Sequence, residues 1–491
     1  MSAEPGFGPR LSAATHAKRL RYHRSRVAPG IVHLGVGAFH RAHMAVYVDD
    51  LLAQDSSWGV VGASLRRPDT RNALAPQDFL YTLAVRDGSG ASTRIIVSVL
   101  DVLNAEARRD ALIDIMADPR IRIVSLTITE KGYCYDAATR ALNPSHPDIV
   151  HDLAHPEAPL SGPGFLVKAL ELRCRAKVAP FTALCCDNLP ENGGTARRVV
   201  AALARLRGQG PGAFVEREVA FPSTMVDKIV PATTDADGQM LFEEIGLWDA
   251  WTVVTEPFTQ RVVEDHFPSG RPAFESVGVQ MVSNVQPFEV AKLHMLNGSH
   301  STLAYFGYLA GCEFVSETIA DPAFRDLIHH LMTDEIMSET PPAVGDLGHY
   351  RDTLLDRFAN PELKHRTWRI AMDGSQKLPQ RLLGTIRGRL AKRLPATRAA
   401  LGVAAWMRYV SGIDERGRVT DVKDSLAARL RSIANEAGAV PRRIVDGLLG
   451  TTEMFGQDLP TSDVFRSLLT RHLTDLFEKG AASTAKTVNQ T

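Results

Sequence analysis

"GIVHLGVGAFHRAH", residues 30 to 43, is the stretch on which the reading of the chain turns. Ile31 to Leu34 has the apolar, β-branched content of a buried strand, it stops at Gly35-x-Gly37, and Met44 to Leu52 then follows a helical period. "WGVVGASL", residues 58 to 65, is a second buried-strand pattern, so the opening is β-loop-α-β. A glycine turn between strand and helix is where backbone N–H groups and a helix N-terminus receive a pyrophosphate. The third glycine of G-x-G-x-x-G is replaced by His40, and an ordinary tight strand-to-helix turn accounts for the pattern equally well.

Working outward, "FLYTLAVRDGSGASTRIIVSVL" places a Gly/Ser/Asp turn between two β-rich runs and predicts a hairpin. "IRIVSLTIT" (121 to 129) and "FTALCCDNL" (181 to 189) are further strands with helical stretches around them. Alternating strands and helices predict an α/β Rossmann-type domain with a mostly parallel sheet. Past residue 285 the pattern turns helical, over Phe288 to Leu309, Asp321 to Met337, Tyr350 to Phe358, Ala399 to Val410, Asp421 to Glu436 and Phe465 to Phe477. The expectation is an α/β domain over 1–285 and a mainly α-helical domain over 286–491, with a frayed tail from Lys479 and a ligand cleft between the domains.

Composition removes several classes of function. The chain has 491 residues, more than the roughly 100 to 200 of one domain, which agrees with two units. Basic and acidic residues number 56 each, so no net field favours nucleic acid or an anionic membrane. The apolar share of 44% includes no run long enough to span a bilayer, and the expectation is a cytoplasmic protein. Five scattered cysteines without C-x-x-C spacing argue against a disulfide framework and a cysteine-type zinc site. The basic segment "THAKRLRYHRSR" (15 to 26) lacks the apolar core of a signal peptide and is expected to be a solvated leader.

Two local patterns bear on ligands. At the end of the second strand come Arg66, Arg67, Pro68 and Asp69: the acid suits the ribose diol of NAD, and the arginines leave NADP possible. His40 and His43 lie one helical turn apart with no acidic or cysteine partner nearby, so a loop-ordering role is preferred and no metal is expected.

"GVGAFHRAH" (35 to 43), "SLTITEKGYC" (125 to 134), "CDNLPENG" (186 to 193), "MVDKIVP" (225 to 231), "KLHMLNGSH" (292 to 300) and "MDGSQKLPQR" (372 to 381) together resemble the mannitol dehydrogenase family. This family comprises polyol-specific long-chain dehydrogenases and their fructuronate reductase relatives. The resemblance implies a nucleotide-binding Rossmann domain, a helical substrate domain and metal-independent hydride transfer with NAD or NADP. It implies Lys292 as acid/base with Asn297 and His300 on the reacting oxygens, and Asn188, Asp227, Arg369, Lys377 and Lys131 as substrate ligands. Glu130 and Glu289 would relay the proton, and Gly35, Gly37, Ala38, Phe39, His40 and Asp69 would hold the cofactor. The partner is then a small-molecule sugar acid or polyol, and the chain a monomer or small homo-oligomer.

Without a metal, a lysine can exchange a proton with the substrate oxygen if burial and nearby positive charge lower its pKa. The helix carrying it presents a geometric problem. At about 100° per residue Lys292, Glu289, His300 and Asn297 point to roughly 0°, 60°, 80° and 140°, one side of a cylinder. Lys292 and His300 are nevertheless about 12 Å apart along a regular axis, which calls for an extended substrate or a break near Gly298. Lys131 in "TEKGY", where the polyol enzymes carry a small residue, and "LKHRTWRIAMDGSQKLPQR" (363 to 381) resemble the uronate branch. The expected reaction is therefore D-fructuronate to D-mannonate, with oxidation of mannitol or arabinitol to a ketose as the alternative.

Overall fold

The computed structural model describes residues 8–16, 22–87, 90–136, 139, 141–341 and 344–490. It divides into two compact units, Met1–Gln286 and Pro287–Thr491. The first contains, among the described residues, strands β1 (Pro29–Leu34), β2 (Gly59–Ser64), β3 (Tyr81–Asp87), β4 (Gly90–Ile96), β5 (Val99–Asn104), β6 (Ile123–Leu126) and β7 (Thr182–Cys185). It continues with β8 (Thr224–Asp227), β9 (Val253–Thr255), β10 (Gln260–Glu264) and β11 (Gln280–Val282).

The central sheet runs β5-β2-β1-β6-β7 and every pairing in it is parallel. Helices cover both faces, which is why β1, β2, β6 and β7 are near-continuous apolar runs instead of alternating ones. This is a Rossmann-type arrangement: the chain winds outward from β1 through β2 to β5, then returns to place β6 on the other side of β1. The polar exception in the middle is His33 on β1, fully buried. Its ring meets Ser125 Oγ at 2.8 Å and Thr127 Oγ1 at 2.9 Å, so the β1/β6 seam satisfies it, and burial holds its pKa at about 3.

The expected hairpin is present, β3 pairing antiparallel with β4 from Tyr81↔Ile96 to Asp87↔Gly90; its turn residues 88 and 89 lie outside the described residues. β9 adds to the free edge of β3, and β8, β10 and β11 form a third small sheet. The N-terminal segment departs from the expected solvated leader. Tyr22 donates to Asp49 at 2.8 Å and Arg24 to the Val99 carbonyl at 2.9 Å, while residues 17–21 lie outside the described residues.

In the second unit the core is organised by Thr397–Val410, apolar nearly all round and buried from Ala399 to Val410, as a helix enclosed by other helices must be. Ser299–Ala310 packs closely on it because Gly402 has no side chain: a Cβ there would lie 2.7 Å from Thr302 Oγ1. Two expectations fail. The helix expected over 421–436 begins only at Ala427, because the carboxylate of Asp424 is drawn to the N–H (2.9 Å) and hydroxyl (2.5 Å) of Ser375. The tail is a packed helix, Ala481–Asn489, whose small residues Ala481, Ala485 and Val488 recur at i, i+4 and i+7 and are buried.

The run expected over Phe288–Leu309 is helical but not uniform. Gln286–Ala291 and Ser299–Ala310 are α-helical, and Lys292–Gly298 between them is a π-helical turn. Closure i→i+5 widens the coil, so Lys292 and Asn297, five apart, stand over one another where an α-helix would turn them well apart. A break near Gly298 was one of the alternatives left by the sequence geometry, and the helix type does change there. Another π-helical turn, Pro379–Leu383, lies against it: a Cβ on Gly298 would be 2.8 Å from the Arg381 carbonyl oxygen.

Gly35 has φ +96°, and a Cβ on it would lie 2.1 Å from the Thr127 carbonyl oxygen. Gly35→Ala is therefore expected to cost about 2 kcal/mol or more and lower the thermal unfolding midpoint of the full chain. Gly37→Ala is expected to leave that midpoint unchanged, because its Cβ would meet nothing nearer than the Gly35 carbonyl oxygen at 4.0 Å.

Candidate active site

In the first unit the carboxyl ends of β1, β2 and β6 open into a cavity of about 550 Å³. Gly35 and Gly37 come from β1, Ser64 to Arg67 and Asp69 from β2, and Thr127 to Thr129 with Lys131 from β6. This is the crevice where the strand order reverses, the place at which an open α/β sheet binds ligands. The cavity fits a dinucleotide. Gly35 lets the turn pass against Thr127, and Gly37 leaves a gap beside the backbone that a side chain would fill. Gly37 also precedes the short helix Ala38–Ala42, whose first N–H groups have no intrahelical partner.

The other members of that loop lie deeper. His40 is buried and stacked on His33 with ring centroids 3.5 Å apart, and Phe39 stacks on His43 at 5.0 Å. Burial, and then His33 and Arg261, hold the His40 imidazole well below its ordinary pKa, so it stays neutral and underpins the loop. The turn after β6 is fixed by Asp187, whose carboxylate accepts the N–H groups of Ile128 (2.9 Å) and Thr129 (3.0 Å) and the Tyr133 hydroxyl (2.7 Å). Thr129, a β-branched residue, is held there at φ +61°, and Glu130 and Lys131 are exposed beside it. Asn188 is exposed just beyond β7, and Asp227 is buried at the end of β8.

Among the described residues, metal-ligand spacing occurs at Cys134, His146 and Asp148, whose donor atoms lie within 4.8 Å of one another. His40 and His43 do not form such a group. The three donors are already engaged or protonated. Asp148 is paired with Arg66, His146 Nδ1 accepts the Asp148 N–H at 3.2 Å, and burial pushes the Cys134 thiol up to about 12.

In the second unit Lys292 is buried in the π-helical turn, and Glu289 precedes it by one helical turn. Asn297 Oδ1 and His300 Nε2 are buried and meet no hydrogen-bond partner among the described residues. Each such atom costs about 1 to 3 kcal/mol while it remains unpaired, so a polar partner at this face would be favoured. His300 is stacked between Phe358 and His365, both centroids 5.3 Å away. Burial lowers its pKa far below the ordinary value, and His365, Arg381, Arg357 and Lys377 act in the same direction. His365 itself falls to about 4 by burial, with Arg357 and Arg369 adding to the shift.

Of the residues expected here, Arg369 is exposed on the turn Thr367–Ala371, while Lys377 Nζ donates to the carbonyls of Met372 (2.6 Å) and Ile370 (3.3 Å). Arg381, Arg357 and His365 were not among them. Arg381 holds the π-helical turn through Ser301 Oγ at 2.8 Å and the Asn297 carbonyl at 3.5 Å. Burial lowers its pKa to about 10, so it remains a cation at neutral pH. Its spacing of four from Lys377 was the available signal, since on a helix such a pair shares a face. Arg357 lies on the helix Leu347–Ala359 and carries no comparable local cue.

Comparison with known proteins places this geometry in context. A family model described as the mannitol dehydrogenase Rossmann domain matches residues 29–276, and one described as the mannitol dehydrogenase C-terminal domain matches 284–477. The D-mannonate oxidoreductase of Escherichia coli is 44% identical over 94% of this chain and 96% of its own length. A mannitol 2-dehydrogenase of Aspergillus fumigatus is 41% identical, covering 94% of each chain. The Pseudomonas fluorescens mannitol 2-dehydrogenase, solved as a ternary complex with NAD and D-mannitol, superposes with a TM-score of 0.87 and 38% identity. That match covers 98% of this chain and 100% of the other.

The neutral imidazoles of the helical unit carry a pH signature. Burial lowers His294, His365 and His472 to about 4, against about 6.5 in an unfolded chain. Between those values the unfolded state binds more protons, so stability is complete above pH 7 and is lost as the pH falls from 6.5 toward 4. Each group contributes a slope of up to about 1.4 kcal/mol per pH unit. Unfolding midpoints measured from pH 8 to pH 5 should fall steadily, and His472→Gln should flatten the fall; a level profile would contradict the burial of these rings.

Proposed function

Because this chain belongs to the mannitol dehydrogenase family and is an NAD-dependent oxidoreductase acting on a CH–OH group, we propose that it interconverts a 2-keto sugar acid and the corresponding hydroxy acid. D-Fructuronate and D-mannonate are the pair that suits it. The observation that carries the uronate reading is the charge around His300. Arg381, Arg357 and Lys377 act on it directly and Arg369 acts on its neighbour His365. A carboxylate favours such fixed positive charge, and guanidinium forks in particular, whereas a hydroxymethyl group gains little from it. Lys131, exposed at the rim of the first unit's cavity, supplies a further cation suited to a carboxylate. We assign residues 1–285 to nucleotide binding and 286–491 to substrate binding and catalysis.

A dihydronicotinamide, when held at the nucleotide loop, would supply the hydride. Lys292 gives its proton to the oxygen on which negative charge develops as the keto carbon is reduced, and takes it back in the oxidative direction. Asn297 and His300 hold the reacting and adjacent oxygens, satisfying their own unpaired atoms as they do so. A neutral His300 can donate or accept without adding charge beside Lys292. Glu289 and Glu130 pass the proton between Lys292 and water. Asn188, Asp227, Arg369 and Lys377 bind the remaining hydroxyls and the carboxylate. Gly35, Gly37, Ala38, Phe39, His40 and Asp69 form or support the nucleotide loop.

A polyol reading has its own support. Lys377 directs two donors to backbone carbonyls instead of into open space, and the P. fluorescens structure was solved with D-mannitol. Purified protein assayed with NADH against fructuronate, tagaturonate and fructose separates the two. Reduction of fructuronate is expected, and strong turnover of fructose with none of either uronate would overturn the uronate choice. Lys292→Ala is expected to lower kcat about 100-fold to 10,000-fold while NADH affinity changes less than about threefold. Retained turnover would remove Lys292 from the mechanism.

A further inference from the structure

The cavity at the carboxyl ends of β1, β2 and β6 is lined by five formal charges: Arg66 and Arg67 after β2, Asp69 at the start of Asp69–Leu74, Lys131 after β6, and Asp148. Asp148 comes from a separate element, the helix Pro147–Ala154, and its carboxylate is ion-paired with the Arg66 guanidinium. The side chains keep 54% and 23% of their surface exposed, so the pair borders the cavity and is not part of the core. Asp148 is held firmly. His146 caps the helix by accepting the Asp148 N–H, Pro147 fixes the first turn, and a carboxylate at this end is favoured by the helix dipole. On the other side, Asn104 Nδ2 donates to the Arg66 carbonyl at 3.3 Å and pins the backbone that carries the guanidinium.

We propose that Asp148 is a positioning residue for cofactor choice: by engaging Arg66 it withholds that guanidinium from the 2′-phosphate of NADP(H) and keeps the enzyme on NAD(H). The inference rests on reading the cavity as the nucleotide site. With Asp148 in place one of the two guanidiniums is engaged, and the lining keeps a smaller positive excess, from Arg67 and Lys131 against Asp69, than it would without that carboxylate. A 2′-phosphate carrying nearly two negative charges would meet less positive charge there and would lose the Arg66 fork for bidentate binding. A ribose diol requires only acceptors, which Asp69 offers. Arg66, one of the two arginines after β2 that by sequence leave NADP open, is thus discounted by a residue about eighty positions further on.

Asp148→Asn keeps the shape of the side chain and removes the charge that holds Arg66. The quantity to measure is the ratio of kcat/KM with NADPH to that with NADH on the same keto acid. The ratio is expected to rise at least tenfold in Asp148→Asn through a gain with NADPH, and adding Arg66→Ala should abolish the gain. A ratio that stays within twofold of wild type, one that moves only because NADH-linked turnover falls, or a gain that survives Arg66→Ala overturns the proposal. So does a wild-type enzyme that already uses NADPH as well as NADH. If Asp148→Asn does not fold, Asp148→Ser, which retains a helix-terminal acceptor, carries the same measurement. Fluorescence titration of wild type separates the two levels: no binding of either nucleotide refutes the site itself, and tight NADH binding with an unmoved ratio refutes only Asp148.

Discussion

The fold of the first unit depends on one close approach, the carbonyl of Thr127 lying where Gly35 would carry a side chain. β1 and β6 are parallel neighbours, and the chain leaves them toward opposite sides of the sheet. For a crevice to open at that point, the two strands must end almost in contact, with one of them turning away immediately. Gly35 makes that turn at φ +96°, which a side chain would strain, and its carbonyl accepts the Thr127 hydroxyl at 2.7 Å. His33, one residue inside the sheet from Leu34, completes the seam by bonding Ser125 and Thr127. A polar ring at the centre of a parallel sheet is destabilising unless its partners are supplied, and here they come from the strand that the turn requires to be adjacent.

The helical unit solves a different problem with comparable means. A regular helix cannot stack residues five apart, and it cannot leave polar side chains on a buried face without cost. The π-helical turn Lys292–Gly298 does the first, and its widened backbone is braced from outside by Arg381 through Asn297 and Ser301. That brace reaches the turn because Gly298 allows the π-helical turn opened by Pro379 to come against it. A proline lacks the N–H that would close a normal α-turn, so the distortion at 379 is written in the covalent chemistry. The distortion at 292 depends on neighbours distant in sequence.

What was legible in the sequence follows the same division. Strands buried on both faces announce themselves as apolar runs, so β1, β2, β6 and β7 could be found, and the β3/β4 hairpin follows from its turn composition. Rise per residue raised a break near Gly298 as one alternative, though not its kind. Illegible were features decided by partners far along the chain. Asp424 caps Ser375 instead of continuing a helix, and Tyr22 and Arg24 dock a segment whose composition suggests a free leader. The packed tail is a different case. Its small residues do recur at a helical spacing, but Thr, Lys and Gln around them mask an apolar stripe made of Ala481, Ala485 and Val488. Arg357 and Asp148 had no local cue in the sequence, because only the tertiary fold brings them to their neighbours.

Charge in the helical unit is divided by residue type in a way that constrains its chemistry. His294, His300, His365 and His472 are driven neutral by burial, with surrounding cations adding to the effect at His300 and His365. The arginines remain charged: even buried Arg381, at about 10, is protonated throughout the physiological range. Positive potential around His300 is therefore fixed and does not switch between pH 6 and 9, since the imidazoles that would ordinarily titrate there do not. Fixed guanidiniums can thus attract an anionic substrate without themselves exchanging a proton.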